Sequence, residues 1–66
     1  MKESLEAVIV EMIQSGIRLR LAQKDFERKF LKLALDIHRG NRIATSKALG
    51  IHRNTLTSKI SKHRLR

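Results

Sequence analysis

Three observations predict an all-α fold. Apolar residues recur at three- and four-residue intervals in successive stretches of the chain, a spacing that gathers them on one side of a helix. The first three stretches stop at a glycine, at positions 16, 40 and 50, the residue that adopts the left-handed backbone of a helix end without steric cost. Nowhere does polarity alternate with the two-residue rhythm of a half-buried strand, and the chain holds no tandem repeat or low-complexity linker.

A first helix is predicted over about residues 4–15. Leu5, Ile9, Met12 and Ile13 keep helical spacing, Val8 and Val10 widen the stripe, and Glu3, Glu6 and Glu11 lie among them. Ser4 is placed to cap its start, and Ser15-Gly16 supplies the stop. A second, longer helix begins at Leu19. Its main stripe is Leu19, Ala22, Phe26, Phe30, Leu33/Ala34 and Ile37, apolar for about five turns, and Arg39-Gly40-Asn41 ends it. Leu21, Leu31 and Leu35 form a second strip off the first. Two apolar sides exceed what a chain of this size buries by itself. The main stripe is therefore expected in the intramolecular core, and Leu31 and Leu35 against a second copy, together with Leu5, Ile9, Met12 and Ile13. The alternative is a single broad buried face.

Two short helices follow. Asn41 is a good N-cap for a helix of about 42–49 closed by Gly50. Ile51-His52 leads into a last helix from about Arg53 to His63, on which Leu56 and Ile60 make a narrow apolar seam while the other positions are polar or basic.

Size and charge constrain what such a bundle does. A chain of 66 residues buries only about 60% of the surface its unfolded form exposes, so its core is marginal without support. There is no cysteine, which removes disulfides and thiolate metal sites and leaves self-association as the expected support. The net charge of +9 is unevenly spread: −2 over residues 1–16, +4 over 17–40 and +7 over 41–66, with no carboxylate after Asp36. One end of the molecule is thus suited to a polyanion. The longest uninterrupted apolar run, Ala7 to Val10, is far short of the roughly 20 residues of a membrane span. No signal peptide is readable, because Glu3 and Glu6 sit where a positive segment and an apolar segment belong. A cytoplasmic location, on the nucleoid, is expected.

A short helix, a glycine turn and a second short helix make the helix-turn-helix pattern. Ser46, four residues before Gly50, supplies the small side chain that a close crossing needs, and Leu49, Ile51, Leu56 and Ile60 supply apolar contacts on both sides of the turn. The last helix then offers His52, Arg53, Asn54, Thr55, Thr57, Ser58, Lys59 and Lys62. Arginine donates two hydrogen bonds to guanine O6/N7, asparagine pairs with adenine, and hydroxyls serve base edges or phosphates. Lys59, Lys62, Arg64 and Arg66 are assigned to backbone phosphates.

Three segments carry a resemblance to a known family: Gly40-Asn41-Arg42, Ala48-Leu49-Gly50-Ile51-His52-Arg53-Asn54-Thr55-Leu56, and Lys59-Ile60. Together they resemble the DNA-binding domain of the Fis family, which includes factor for inversion stimulation and the C-terminal domains of NtrC-type enhancer-binding activators. Phe26-Glu27-Arg28 through Leu33-Ala34-Leu35 looks like that family's long second helix. The resemblance implies a four-helix protomer whose first two helices pair with those of a partner, and recognition helices that enter adjacent major grooves of a partly palindromic site, often with DNA bending. It further implies that Asn41 and its neighbour Arg42 contact phosphate, that His52 and Arg53 approach base edges, that Thr55 touches backbone, and that Thr57, Ser58 and Lys59 face or flank the groove. The chain departs from the family pattern at several places. His52 replaces the commoner Ser or Asn, Ile43 takes a place often held by a hydroxyl residue, Thr45-Ser46 stands for paired alanines, and Thr57 and Ser58 stand for Arg or Lys.

The expected organisation is one domain with a two-helix dimerisation region over 1–38 and a helix-turn-helix region over 39–66. The expected partners are double-stranded DNA and a second copy, with no membrane, small-molecule substrate, cofactor or metal. No enzyme activity is expected. His38, His52 and His63 are too far apart in sequence to pair on one helix face, and the three glycines form no phosphate-binding loop. His38 is expected at a helix end, against the C-terminal dipole. The alternatives are a basic RNA-binding or nucleoid-associated architectural module, or a dimerisation module without specific DNA recognition. RNA binding is disfavoured because the only aromatics are Phe26 and Phe30, on the stripe assigned to the core, leaving none to stack on bases.

Overall fold

The computed structural model describes residues 2–65. Its four helices are α1 (Lys2–Gln14), α2 (Leu19–Ile37), α3 (Arg42–Leu49) and α4 (Arg53–Lys62), with no strand among the described residues. The fold class is as expected and the boundaries fall within two residues of those predicted. α1 begins before Ser4, so that serine lies inside the helix and does not cap it.

All four helices end in the same nested pair of backbone hydrogen bonds, which satisfies carbonyls that a helix leaves without partners. Ile17 N–H donates to Met12 O and Gly16 N–H to Ile13 O; after α3, Ile51 N–H donates to Ser46 O and Gly50 N–H to Lys47 O. The pattern repeats after α2, from Gly40 to Leu35 and Arg39 to Asp36, and after α4, from Leu65 to Ile60 and Arg64 to Ser61. The motif demands a left-handed residue. Glycine fills that place after α3 (Gly50, φ 69°), but Arg39 and Arg64 fill it after α2 and α4, both with φ 55°. A side chain in that conformation costs about 1–2 kcal/mol. The turns send Ile51 and Leu65 back against the core.

That core joins α2 to α4. Leu31 and Leu35, one turn apart on α2, meet Leu56 and Ile60, one turn apart on α4; all four are at most 3% exposed, with Leu49, Ile51 and Leu65 packed around them. Ala34, also buried, lies on the same side of α2. This corrects the expected division of α2. Leu31 and Leu35 are intramolecular core and not part of a dimer interface, whereas Leu19, Phe26, Phe30, Leu33 and Ile37 of the main stripe are exposed. The reason is length. The stripe from Leu19 to Ile37 runs about 27 Å, whereas α3 and α4, at 8 and 10 residues, reach only about 12 and 15 Å. Neither short helix covers the whole stripe, and the Leu31/Leu35 pair is the part of α2 that meets the seam of α4. Phe26 and Phe30 lean on each other instead, ring centroids 5.6 Å apart.

α1 takes no part in this core. From Ser4 to Gln14 its side chains are exposed except for the half-buried Met12, and Leu5, Ile9 and Ile13 are among those left in solvent. In α3 the buried positions are two hydroxyl residues, Thr45 and Ser46. Both are satisfied within their own helix: Thr45 Oγ1 donates to Asn41 O at 2.7 Å and Ser46 Oγ to Ile43 O at 2.9 Å. A buried hydroxyl is tolerated when it back-bonds to its own turn, which accounts for hydroxyls where the family pattern has alanines.

Truncating Leu56 to alanine removes the most deeply buried of these side chains and is expected to lower stability by about 2–5 kcal/mol. Urea unfolding followed by circular dichroism measures this; an unchanged midpoint would contradict the α2–α4 core.

Candidate nucleic-acid interface

The turn between α3 and α4 is set by two side-chain caps. Asn41 Oδ1 accepts the Ala44 N–H at 3.0 Å at the start of α3, as expected of an N-cap. At the start of α4, His52 Nδ1 accepts the Asn54 N–H at 3.0 Å. Accepting that bond needs a lone pair on Nδ1, which leaves the hydrogen on Nε2 as the donor His52 can offer a ligand. Serine and asparagine, the commoner residues here in the family pattern, are capping residues too, and the histidine ring does their work.

Leu56, Ile60 and His63 of α4 face inward and are buried, whereas Arg53, Asn54, Thr55, Thr57, Ser58, Ser61 and Lys62 are exposed. At about 100° per residue, Asn54, Ser58 and Ser61 lie on the side opposite the Leu56–Ile60 seam. Thr55, Thr57 and Lys62 flank them. Ser61, which is not among the residues expected from the sequence, completes this outer strip. Asn41 and Arg42 are exposed at the start of α3. The outer strip contains no acid.

Lys59, expected toward phosphate, is engaged on another side of α4 in the structure. It is half-buried on the α2 side, its Nζ 3.1 Å from Glu27 Oε2. The other oxygen of the same carboxylate, Oε1, lies 2.8 Å from Nε2 of His63, whose side chain is 1% exposed. Lys59 and His63 are one turn apart on α4, and His63 continues the Leu56–Ile60 seam by three residues. That continuation was the available signal for a buried histidine. The Nδ1 of His63 is buried with no partner. Both bonds, the one to His63 foremost, hold the Glu27 carboxyl below its ordinary value of about 4.5. His38, at the end of α2, places its Nδ1 2.8 Å from Ala34 O, a helix-end role as expected.

The remaining acids of α2 are paired along the helix surface, Asp25 with Lys29 and Asp36 with Lys32, each at 3.2 Å. Such exposed pairs contribute little, but they leave Glu27 as the α2 acid tied to the basic α4. Among the described residues no cluster of three or more His, Asp or Glu is placed to hold a metal ion, and no helix is long and apolar enough to cross a membrane.

Residues 22–63, most of α2 through His63, match the family model for bacterial regulatory proteins of the Fis family. The chain belongs to the Fis family. Neither the curated proteins nor the solved structures gave a match. Like other Fis-family domains, it is a DNA-binding helix-turn-helix regulatory unit. The matched segment covers the structural unit that shares one core, α2 with α3 and α4, and excludes α1.

The sign of the acid response is set by Glu27. Its folded pKa is lowered, so its stabilisation is fully present above the unfolded value and is lost as pH falls through the folded value. Thermal melts of the wild type should lose stability below about pH 4.5, and Glu27→Gln should remove part of that dependence while lowering stability at neutral pH. An identical acid profile for the two proteins would show that the carboxylate plays no such part.

Proposed function

We infer that this Fis-family chain is a homodimeric, sequence-selective transcriptional regulator that inserts α4 in the major groove of duplex DNA. The observation that carries the reading is the outer strip of α4: amide, hydroxyl and ammonium groups, free of acid, on the side opposite the core, with the exposed guanidinium of Arg53 at the start of the helix. Arg53 is suited to guanine O6/N7 and Asn54 to adenine, with Thr57 and Ser58 offering hydroxyls to base edges. Asn41, Arg42, Thr55 and Lys62 are suited to phosphates, which position the domain without reading sequence. His52 contributes its Nε2–H at the groove entrance. A cytoplasmic location on the nucleoid accords with this activity.

The homodimer is supported by what the protomer leaves uncovered. Leu5, Ile9 and Ile13 of α1, and Leu19, Phe26, Phe30, Leu33 and Ile37 of α2, are all exposed, and exposed apolar surface of this extent is suited to an interface. A groove of about 760 Å³ beside α2 is lined by the apolar Phe26, Phe30, Leu49 and Ile51, by the basic Arg20, Lys24 and Lys62, and by the paired Glu27 and Lys59. Residues 1–16 carry −2, so an amphipathic, acidic α1 from a second copy complements it in polarity and charge. Residues 1–38 then serve dimerisation and 39–66 serve DNA, with α2 contributing to both. Two recognition helices about 34 Å apart meet successive major grooves on one side of the duplex.

Selection of bound sequences from a random duplex pool is expected to return a partly palindromic motif. With the selected site, Arg53→Ala should cost about 1–3 kcal/mol and relax preference at one position, whereas Lys62→Ala should weaken all duplexes alike and flatten the salt slope by roughly one unit. Equal behaviour of the two variants would overturn the division into base and phosphate contacts. Sedimentation of Ile9→Glu and Phe30→Glu tests the dimer: folded monomers are expected, and an unchanged mass in both would refute the interface.

A further inference from the structure

The pairing of Lys59 with Glu27 bears on how α4 meets DNA, a role that rests on the chain being the DNA-binding protein proposed above. We propose that Glu27 is an internal substitute for a DNA phosphate, a positioning residue that keeps Lys59 off the duplex and thereby sharpens sequence selectivity. Both oxygens of the carboxylate are engaged from α4, Oε2 by Lys59 at 3.1 Å and Oε1 by His63 at 2.8 Å. The His63 side chain is buried, so the carboxylate has a second anchor on α4 besides Lys59. The Lys59–Glu27 pair is also less exposed than the surface pairs of α2, at 33% and 35% against 50–70%, and is correspondingly less screened by salt.

Position on the helix agrees. Taking Leu56 as the inward direction, Lys59 lies about 60° from it and Lys62 about 120°. Lys62 is therefore turned farther toward the outer strip, and Lys59 would have to abandon its counter-charge and swing around the helix to reach a phosphate. The cost of that move is the loss of its carboxylate. Non-specific affinity is set by the number of phosphates neutralised, with a salt slope of about 0.9 per phosphate on B-form DNA. Withholding one ammonium from the duplex lowers binding to every sequence that offers only phosphates. Specific binding retains its base contacts, and its advantage over the rest widens. Glu27 is thus a selectivity determinant that touches no base.

The test uses the full chain, a selected duplex and a scrambled duplex, with affinity measured against salt for four proteins: wild type, Lys59→Met, Glu27→Gln, and the double variant. Circular dichroism melts establish that each is folded. Glu27→Gln keeps a hydrogen-bond partner for His63 while releasing Lys59. It is expected to steepen the salt slope by about 0.9, to tighten the scrambled duplex several-fold and to narrow the specific-to-scrambled ratio. Adding Lys59→Met to Glu27→Gln should return the slope to the wild-type value, which a merely structural role for Glu27 would not do. A slope about 0.9 shallower in the double variant than in wild type would show that Lys59 already contacts phosphate and would overturn the proposal. A slope unchanged by Glu27→Gln would overturn it equally. Failure of the wild type to bind either duplex would remove the DNA-binding reading itself, whereas binding with the wrong slopes removes only the role of Glu27.

Discussion

Two pairs of aliphatic side chains, each pair one helical turn apart, hold α4 to its support. Leu31 and Leu35 on α2 interlock with Leu56 and Ile60 on α4, and no other deeply buried apolar cluster is present among the described residues. The outward strip of α4 exists because its inward seam is occupied, and the turn that brings α4 into place is itself anchored by Ile51 on the same core. A core this small contributes only a narrow margin, so the polar devices around it matter more than they would in a larger domain. The two N-caps, the four nested helix ends and the Glu27 bridge each satisfy groups that a larger hydrophobic core would have made less important.

Charge is organised around the same contact. The last thirty residues contain no carboxylate, and the acid that meets α4 comes from α2, at the edge of the core. The basic end is therefore neutralised only on its inner side. The outer side keeps its full complement of donors, which is the condition for a surface that competes with counterions for a phosphate backbone.

The helices were legible in the sequence because their periodicity, Asn41 and the glycines at 16 and 50 are local signals, decided within a turn or two of chain. The choice between the two apolar strips of α2 was not local. Both strips read as apolar, and which one is buried depends on the length of α3 and α4 laid against them. The longer stripe looked like the core, yet the shorter pair meets the seam of α4. The partner of Lys59 is hidden for a related reason: a lysine on a basic helix next to a helix-turn-helix motif reads as a phosphate contact, and only the packed geometry brings it to a carboxylate 32 residues earlier. Arg39 and Arg64 in left-handed positions were equally hidden, since sequence favours the adjacent Gly40 for the first and offers no glycine for the second.

α2 carries the buried pair on one side and the exposed stripe on another, along 19 residues. It is consequently a single rod that carries both the core contact with α4 and the exposed stripe. A rod of roughly 28 Å that tilts by about 5° about one end moves the other end by about 2.5 Å. A displacement of that size is as long as a hydrogen bond. Whatever grips the exposed stripe therefore acts on the same rod that carries α4, and a small change of angle at one end of the stripe becomes a displacement at the other.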